Sequence, residues 1–166
     1  SIALYYFLKQ SYFQKIIDIF LETDQEIINQ KNIDTSLSGS TCVLVIQLGD
    51  HLICSNIGDS RAILIYEEND ENKIFELSHD SKPELPEEEK RINKLGGRAD
   101  QVTDENGEKT GPYRVYMKNG DQPGLAMSRS FGDKKAKSCG VIPYPDIIEY
   151  NLNNNDSKYM VICSDG

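Results

Sequence analysis

Two aspartates stand directly after apolar runs of the kind that form buried β-strands. Asp165 follows Val161-Ile162-Cys163-Ser164, and Asp59 follows Asn56-Ile57-Gly58. A strand fixes where the residue at its end points, and small neighbours leave room beside the carboxylate for a hard cation such as Mg²⁺ or Mn²⁺. The pattern therefore indicates a metal site. Taken alone, however, an Asp after a strand is more often a turn former.

Further short segments follow one another in a fixed order along the chain. They are Ser38-Gly39-Ser40-Thr41, Asn56 to Ala62, Leu77 to Pro83, Glu89 to Ile92 with Leu95-Gly96-Gly97, Arg114-Val115, Pro123 to Asp133, Pro145-Asp146-Ile147 and Cys163 to Gly166. Together these segments resemble the metal-dependent protein serine/threonine phosphatases of type 2C, over roughly residues 38–166. The sequences around Gly111 to Val115 and Pro123 to Asp133 are most similar to those of the plant and protist branch of the family.

The family also places motifs outside the stretch that the resemblance covers. It has an Asp-Gly-His-Gly motif with a phosphate-binding Arg upstream of Ser38, and further carboxylate ligands downstream of Asp165. Neither set occurs in this sequence, whose two histidines, His51 and His79, do not follow an Asp-Gly. We therefore expect the central portion of a catalytic domain, incomplete at both ends. Residues 1–37 would form a helical part, and residues 38–166 the sandwich strands, a short helix and a flap at 134–143.

The resemblance implies hydrolysis of phosphoserine and phosphothreonine in protein substrates by metal-activated water, with two or more Mg²⁺ or Mn²⁺ ions in the complete domain. Asp165 matches the family's strand-end ligand. Asp59 matches the Gly-Asp-Ser position, which in the family helps to hold a third, weaker metal together with the Ser-Asp-Gly aspartate. We assign no other catalytic or cofactor-binding side chain. Most metal ligands are absent, so we expect the isolated chain to be inactive.

Two other functions remain open. The first is a pseudophosphatase that keeps the sandwich and acts as a binding or regulatory module. The second is an unrelated adaptor domain built from two sheets, which the ordered set of motifs disfavours. Without the flanking motifs the sequence does not separate an active phosphatase from a pseudophosphatase.

Several polar residues near the motifs have a structural explanation that we prefer to a functional one. The small residues of Ser38 to Thr41 enter a strand rather than a helix, which favours close packing over a phosphate loop. Arg61 beside Asp59, and Arg129 near Asp133, are predicted to form ion pairs that orient loops. Ser128 has no histidine or other base beside it in sequence, which argues against a nucleophile.

Asp133 matches the family's Gly-Asp motif, and the resemblance implies that it opens the flap that borders the substrate cleft. The flap begins with Lys134, Lys135 and Lys137. These lysines could steer phosphopeptides, but we favour a solvated loop.

The overall composition excludes several classes of protein. A net charge of −9 and a pI of about 4.7, without a Lys/Arg cluster, argue against nucleic-acid binding. We interpret the acidic runs at 67–71 and 87–89 as solubilising. The four cysteines lack a Cys-x-x-Cys pair and three lie in apolar runs, which indicates reduced thiols in an intracellular, cytoplasmic or nuclear protein. The apolar stretch Ile2 to Leu8 is too short for a membrane anchor.

The periodicity of apolar residues predicts a helix first and antiparallel strands afterwards. An i, i+3, i+4 pattern predicts a long helix over Ser11–Asn29. A short helix is predicted over Pro86–Leu95, with Gly96-Gly97 ending it. The predicted strands are Thr41–Leu48, His51–Ile57, Arg61–Tyr66, Tyr113–Met117, Leu125–Met127, Ile147–Leu152 and Tyr159–Cys163, with a polar loop at Asp104–Gly111.

These elements predict an α/β fold of the α+β type, built as an antiparallel β-sandwich. The strands are apolar on both faces, which requires two stacked sheets or a sheet under helices. The resemblance implies helices on both outer faces and a metal centre in a cleft at one end. Because parts of that fold are missing, we expect exposed sheet edges through which the chain aggregates or dimerises.

Overall fold

The computed structural model describes residues 2–154 and 156–165, so Gly166 of the last motif lies outside the described part. Its helices are α1 (Ile2–Asn29), α2 (Pro86–Lys94) and α3 (Lys134–Lys137), with a 3₁₀ turn at Leu152–Asn154. Its strands are β1 (Gly39–Ser40), β2 (Cys42–Leu48), β3 (His51–Ile57), β4 (Arg61–Glu68), β5 (Glu71–Glu76), β6 (Gly97–Thr103), β7 (Lys109–Met117), β8 (Pro123–Leu125), β9 (Phe131–Gly132), β10 (Asp146–Asn151) and β11 (Asp156–Cys163). Among these helices, none is long and apolar enough to cross a membrane.

Two three-stranded antiparallel sheets form the centre of the molecule. The first has the strand order β10-β3-β2 and the second β11-β4-β5. Side chains from both sheets form one core between them, which includes Leu52, Cys54, Ala62, Leu64, Leu77, Phe75 and Tyr150. The predicted sandwich of antiparallel strands is thereby confirmed.

Strand β3 has apolar residues at both odd and even positions, because both of its faces are covered. Leu52 and Cys54 face the second sheet, whereas Ile53 and Ile57 face α1, where they pack against Phe20. Successive side chains of a strand point to opposite faces, so a strand that is covered on both sides buries apolar residues on both of them. Helix α1 thus covers the outer face of the first sheet, and it begins nine residues before the predicted Ser11.

The outer face of the second sheet has exposed apolar side chains. Tyr159 and Val161 of β11 are 67% and 41% exposed, and Ile74 of β5 is 63% exposed. Among the described elements, β11 pairs with β4 alone, so its other edge is open. This is the exposed sheet edge that the sequence predicts.

Four strands were not predicted from the sequence: the two-residue strands β1 and β9, which pair with each other, and the longer strands β5 and β6. Strand β5 pairs with β4 through a turn at Asn69 and Asp70, which both have positive φ. The acidic run at 67–71 therefore lies at the turn of a hairpin, where residues 68–71 are exposed, as a solubilising role requires. Strand β6 pairs with β7, so the predicted loop Asp104–Gly111 is confined to residues 104–108.

The third sheet, β6-β7-β8, lies with α2 and α3 in a separate cluster. Its buried side chains are Ile92, Val115, Ala136, Cys139 and Val141. Gly140 has a φ of +93°, and a Cβ there would lie 2.8 Å from the Ile92 Cα. This close approach joins α2 to the flap at 134–143 and ties the flap to the rest of the fold.

Candidate functional site

Asp59 and Asp165 line one pocket of about 390 Å³ at the end of the sandwich. Strand β11 runs antiparallel to β4 with Cys163 opposite Arg61, which brings the end of β11 next to the turn that carries Asp59. Asp59 is 5% exposed, and Asp165 is exposed. The structure therefore brings together the two predicted ligands. The same pocket is lined by Arg61, Asp80, Lys82, Cys163 and Ser164.

The turn at Gly58 and Asp59 is fixed by two neighbouring segments. Gly58 has a φ of +94°, and a Cβ there would overlap the Thr41 side chain. The Ser81 amide donates to the Gly58 carbonyl at 2.8 Å, and the Gly58 amide donates to Ser81 Oγ at 3.3 Å. The Thr41 and Ser60 hydroxyls are hydrogen-bonded at 2.7 Å. The Ser38 to Thr41 segment thus supports the site, as predicted, rather than forming a phosphate loop.

Two cationic side chains pair with two of the three carboxylates that line this pocket. Lys82 Nζ lies 2.6 Å from Asp59 Oδ2. Arg61 donates from Nε and Nη2 to the two oxygens of Asp80, at 2.7 and 2.9 Å. These hydrogen bonds from Arg61 hold the pKa of Asp80 below its usual range, although burial acts in the opposite direction. The predicted ion pair of Arg61 exists, but its partner is Asp80 and not the neighbouring Asp59.

The described residues do not make a complete metal centre. Among residues 2–154 and 156–165, no group of three or more His, Cys, Asp or Glu side chains is placed to hold a metal ion. Asp59, moreover, is occupied by the Lys82 ammonium. Carboxylate oxygens are the right donors for Mg²⁺ or Mn²⁺, but Asp59 and Asp165 alone leave most of the coordination sphere unfilled.

Comparison with known proteins assigns the chain to a family. The profile of the family described as Protein phosphatase 2C matches residues 6–166. The chain belongs to the protein phosphatase 2C family. The resemblance seen in the ordered motifs is therefore confirmed, and it extends upstream into α1.

Plant proteins are among the similar sequences. The chain is 39% identical over 150 residues to "Probable protein phosphatase 2C 61" of Arabidopsis thaliana, covering 88% of this chain and 44% of that protein. It is 38% identical over 154 residues to "Probable protein phosphatase 2C 12" of rice (Oryza sativa subsp. japonica), covering 92% and 38%. The chain thus spans less than half the length of these two relatives.

A solved structure supports the fold of this protein phosphatase 2C chain. The crystal structure of serine-threonine phosphatase 2C from Toxoplasma gondii superimposes with a TM-score of 0.78. It is 23% identical and covers 92% of this chain and 50% of the other. At this identity the match shows that the two share a fold.

A buried carboxylate that the sequence did not reveal lies beside the flap. Glu88 of α2 is 4% exposed and receives a bidentate pair of hydrogen bonds from Arg91 at 2.7 Å each. Arg129 donates to Glu88 at 2.6 Å, and the Ser128 hydroxyl donates to it as well. Burial raises the pKa of Glu88, but these hydrogen bonds outweigh it and lower the pKa to about 2. The run at 87–89 is therefore not uniformly solubilising.

The two arginines connect Glu88 to the flap and to the first sheet. Arg91 donates to the Gly140 carbonyl at 2.9 Å, and Arg129 donates to Asp146 of β10 at 2.8 Å. Arg129 thus forms the predicted ion pairs, but with Glu88 and Asp146 and not with Asp133. Ser128 is buried and bonded to a carboxylate that is itself engaged by two arginines. This arrangement agrees with a structural role for Ser128.

The start of the flap is bound to helix α1. Asp133 has a φ of +46° and directly precedes α3, as expected for the residue that opens the flap. Lys134 and Lys135 are exposed, but Lys137 is not a solvated residue, because it lies 3.1 Å from the buried Asp24 carboxylate. Burial lowers the pKa of Lys137, and Asp24 partly offsets this effect. The prediction of a solvated loop is therefore wrong for Lys137.

Proposed function

We propose that the protein containing these 166 residues is a metal-dependent serine/threonine phosphatase. Its substrates would be phosphoserine and phosphothreonine in proteins, hydrolysed by metal-activated water. The observation that carries the proposal is that Asp59 and Asp165, which match two family motifs, line one pocket. The two plant relatives are themselves named as probable protein phosphatases.

The proposed cofactors are Mg²⁺ or Mn²⁺. The pocket offers carboxylate oxygens, which these hard cations prefer to nitrogen or sulfur. Asp165, which is exposed and free of a lysine partner among the described contacts, is the first-ranked ligand, and Asp59 is the second. The other ligands would come from family segments that these 166 residues do not include.

Hydrolysis of an aryl phosphate with and without Mn²⁺ tests the proposal. The 166-residue chain and the longest native polypeptide that contains it are assayed side by side, each with an Asp165→Ala variant. We expect Mn²⁺-dependent activity in the longer polypeptide, its loss in Asp165→Ala, and no activity in the shorter chain. Activity that is unaffected by Asp165→Ala would overturn the proposed role of this aspartate.

A pseudophosphatase is the second candidate. The observation in its favour is that Asp59 is paired with Lys82 and that the described residues hold no group of three metal ligands. Such a protein would keep the sandwich as a binding or regulatory module. A longer polypeptide that is folded, binds phosphopeptide and lacks Mn²⁺-dependent hydrolysis would favour this function over catalysis.

Three finer points remain our predictions. We expect an intracellular protein, cytoplasmic or nuclear, because its cysteines lack the pattern of a disulfide framework. We expect the 166-residue chain to dimerise through the open edge of β11. We also retain the division into a helical part at residues 1–37 and a sandwich part at 38–166.

A further inference from the structure

We propose that Lys82 is a built-in counter-ion of Asp59, which a divalent cation has to displace before it can bind this carboxylate. Sequence and structure point to different partners for Asp59. The motif marks Asp59 as a metal ligand, whereas the structure shows its oxygen bonded to an ammonium group. The inference rests on the proposed function only in taking Asp59 to belong to the cation-binding end of the sandwich.

The contact between Lys82 and Asp59 differs from an ordinary surface ion pair. Asp59 is 5% exposed, and the Lys82 side chain is 32% exposed, so water screens their attraction only in part. The separation of 2.6 Å is that of a charge-assisted hydrogen bond. A buried carboxylate that has lost its water requires such a partner.

The neighbouring ion pair directs Lys82 towards Asp59. Asp80 is 3.8 Å from the Lys82 ammonium, but both of its oxygens already accept hydrogen bonds from Arg61. Arg61 therefore satisfies Asp80, and the shorter contact of Lys82 is made with Asp59. Three carboxylates and two cationic side chains line the pocket, which leaves little negative charge to attract a divalent ion.

The backbone on both sides of Lys82 is fixed, so its position is not that of a freely moving surface lysine. The amide of Ser81 donates to Gly58, directly before Asp59, and the Ser81 carbonyl accepts from Ser128, each at 2.8 Å. Pro83, on the other side, is fully buried. The fold thus holds the lysine and its aspartate in register across 23 residues of sequence.

The ammonium and a divalent cation exclude each other at Asp59. A Mg²⁺ or Mn²⁺ ion has to approach a carboxylate oxygen to about 2.0–2.2 Å, and two positive charges at one oxygen repel each other strongly in a partly buried site. Cation binding at Asp59 therefore requires Lys82 to move away. Lys82 is in this sense a positioning residue, which keeps Asp59 oriented while the cation is absent and weakens the affinity of the site.

The test is an Mn²⁺ titration of the ¹⁵N-labelled 166-residue chain, followed by paramagnetic broadening of the amide signals of Gly58, Ser60 and Ser164. In Lys82→Met we expect half-maximal broadening at an Mn²⁺ concentration about tenfold lower than in the wild type. The double variant Lys82→Met/Asp59→Asn should lose this gain. This readout requires no phosphatase activity.

Lys73→Met is the matched control. Lys73 Nζ lies 2.6 Å from Glu71 on the exposed hairpin of β4 and β5, so its substitution removes the same charge and a contact of equal length away from the pocket. We expect it to leave the titration unchanged. If Lys82→Met fails to fold, Lys82→Gln serves instead, because it removes the charge but retains a hydrogen-bond donor for Asp59.

Three results would overturn the inference. They are a midpoint in Lys82→Met equal to that of the wild type, a gain that persists in the double variant, and no broadening in any variant. The proposed function fails separately, through the absence of Mn²⁺-dependent hydrolysis in the longer polypeptide. A tenfold gain in affinity together with that absence would support the counter-ion and refute the phosphatase.

Discussion

Substitution of Glu88 by Gln should destabilise the chain by about 3 kcal/mol. The side chain keeps its size, but it loses the charge that faces Arg91 and Arg129, whose side chains are 19% and 14% exposed. At about 1.4 kcal/mol per pKa unit, a fall of the Glu88 pKa from 4.5 to about 2 corresponds to roughly 3 kcal/mol. The independent range for breaking a buried ion pair, about 3–5 kcal/mol, agrees with this value.

The stabilisation of the fold by the Glu88 carboxylate depends on pH. The pKa of Glu88 is lower in the folded state than in the unfolded state, so the charged carboxylate stabilises the fold above pH 4.5. As the pH falls from 4.5 towards about 2, the carboxylate takes up a proton and the stabilisation is lost. The difference in free energy of unfolding between wild type and Glu88→Gln should therefore be full at pH 6 and small near pH 2.

Urea unfolding followed by far-UV circular dichroism measures the effect, since the chain has no Trp for fluorescence. Glu87→Gln is the matched control, because Glu87 is in the same turn of α2 but is 86% exposed and 3.9 Å from Lys90. We expect it to change the free energy of unfolding by less than about 0.5 kcal/mol. Equal effects of the two variants, or a Glu88→Gln effect that persists unchanged at pH 2, would refute the reasoning.

Two further predictions concern packing and self-association. Gly39→Ala should cost about 1–3 kcal/mol in urea unfolding, because a Cβ there would overlap the Asp133 carboxylate and the Phe131 carbonyl. Gly120→Ala is its control, since the nearest atom would lie 3.9 Å from the added Cβ, and equal stabilities of the two variants would contradict the packing argument. Val161→Lys at the open edge of β11 should reduce dimerisation in sedimentation velocity, whereas Val102→Lys, at a similarly exposed valine of β6, should not. A wild-type chain that remains monomeric at all concentrations would show that the edge is not an interface.

The centre of the sandwich was predictable because its signals are local. Strands β2, β3 and β4 each contain an uninterrupted apolar run of three to five residues, and a two-residue Gly-Asp turn signal separates the first two. Strands β5 and β6 have no such run, because they lie at sheet edges where polar residues such as Glu71 and Thr103 are exposed. The Asn69-Asp70 pair, which readily adopts positive φ, was the one available signal for the β4–β5 turn.

The positions of Asp59 and Asp165 could be predicted from strand ends, but their partners could not. Lys82 is 23 residues from Asp59, and Arg129 is 41 residues from Glu88, so only the folded chain brings these charges together. Within the acidic run at 87–89, Glu88 is buried whereas Glu87 and Glu89 are exposed. The burial of Glu88 had one usable signal in the sequence, its spacing from Ile92. Ile92 lies four residues later on the same face of α2 and is fully buried.

The position of β10 in the first sheet has a consequence for synthesis of the chain. Strand β3 needs β10 along one edge, yet residues 58–145 are made between them. At roughly 5–20 residues per second, the ribosome adds this segment in about 4–18 s. During that interval β3 has an unpaired apolar edge of the kind that aggregates or is bound by chaperones. The most deeply buried strand of the finished sandwich is thus synthesised long before its second neighbour, and the same holds for β4, whose partner β11 begins at residue 156.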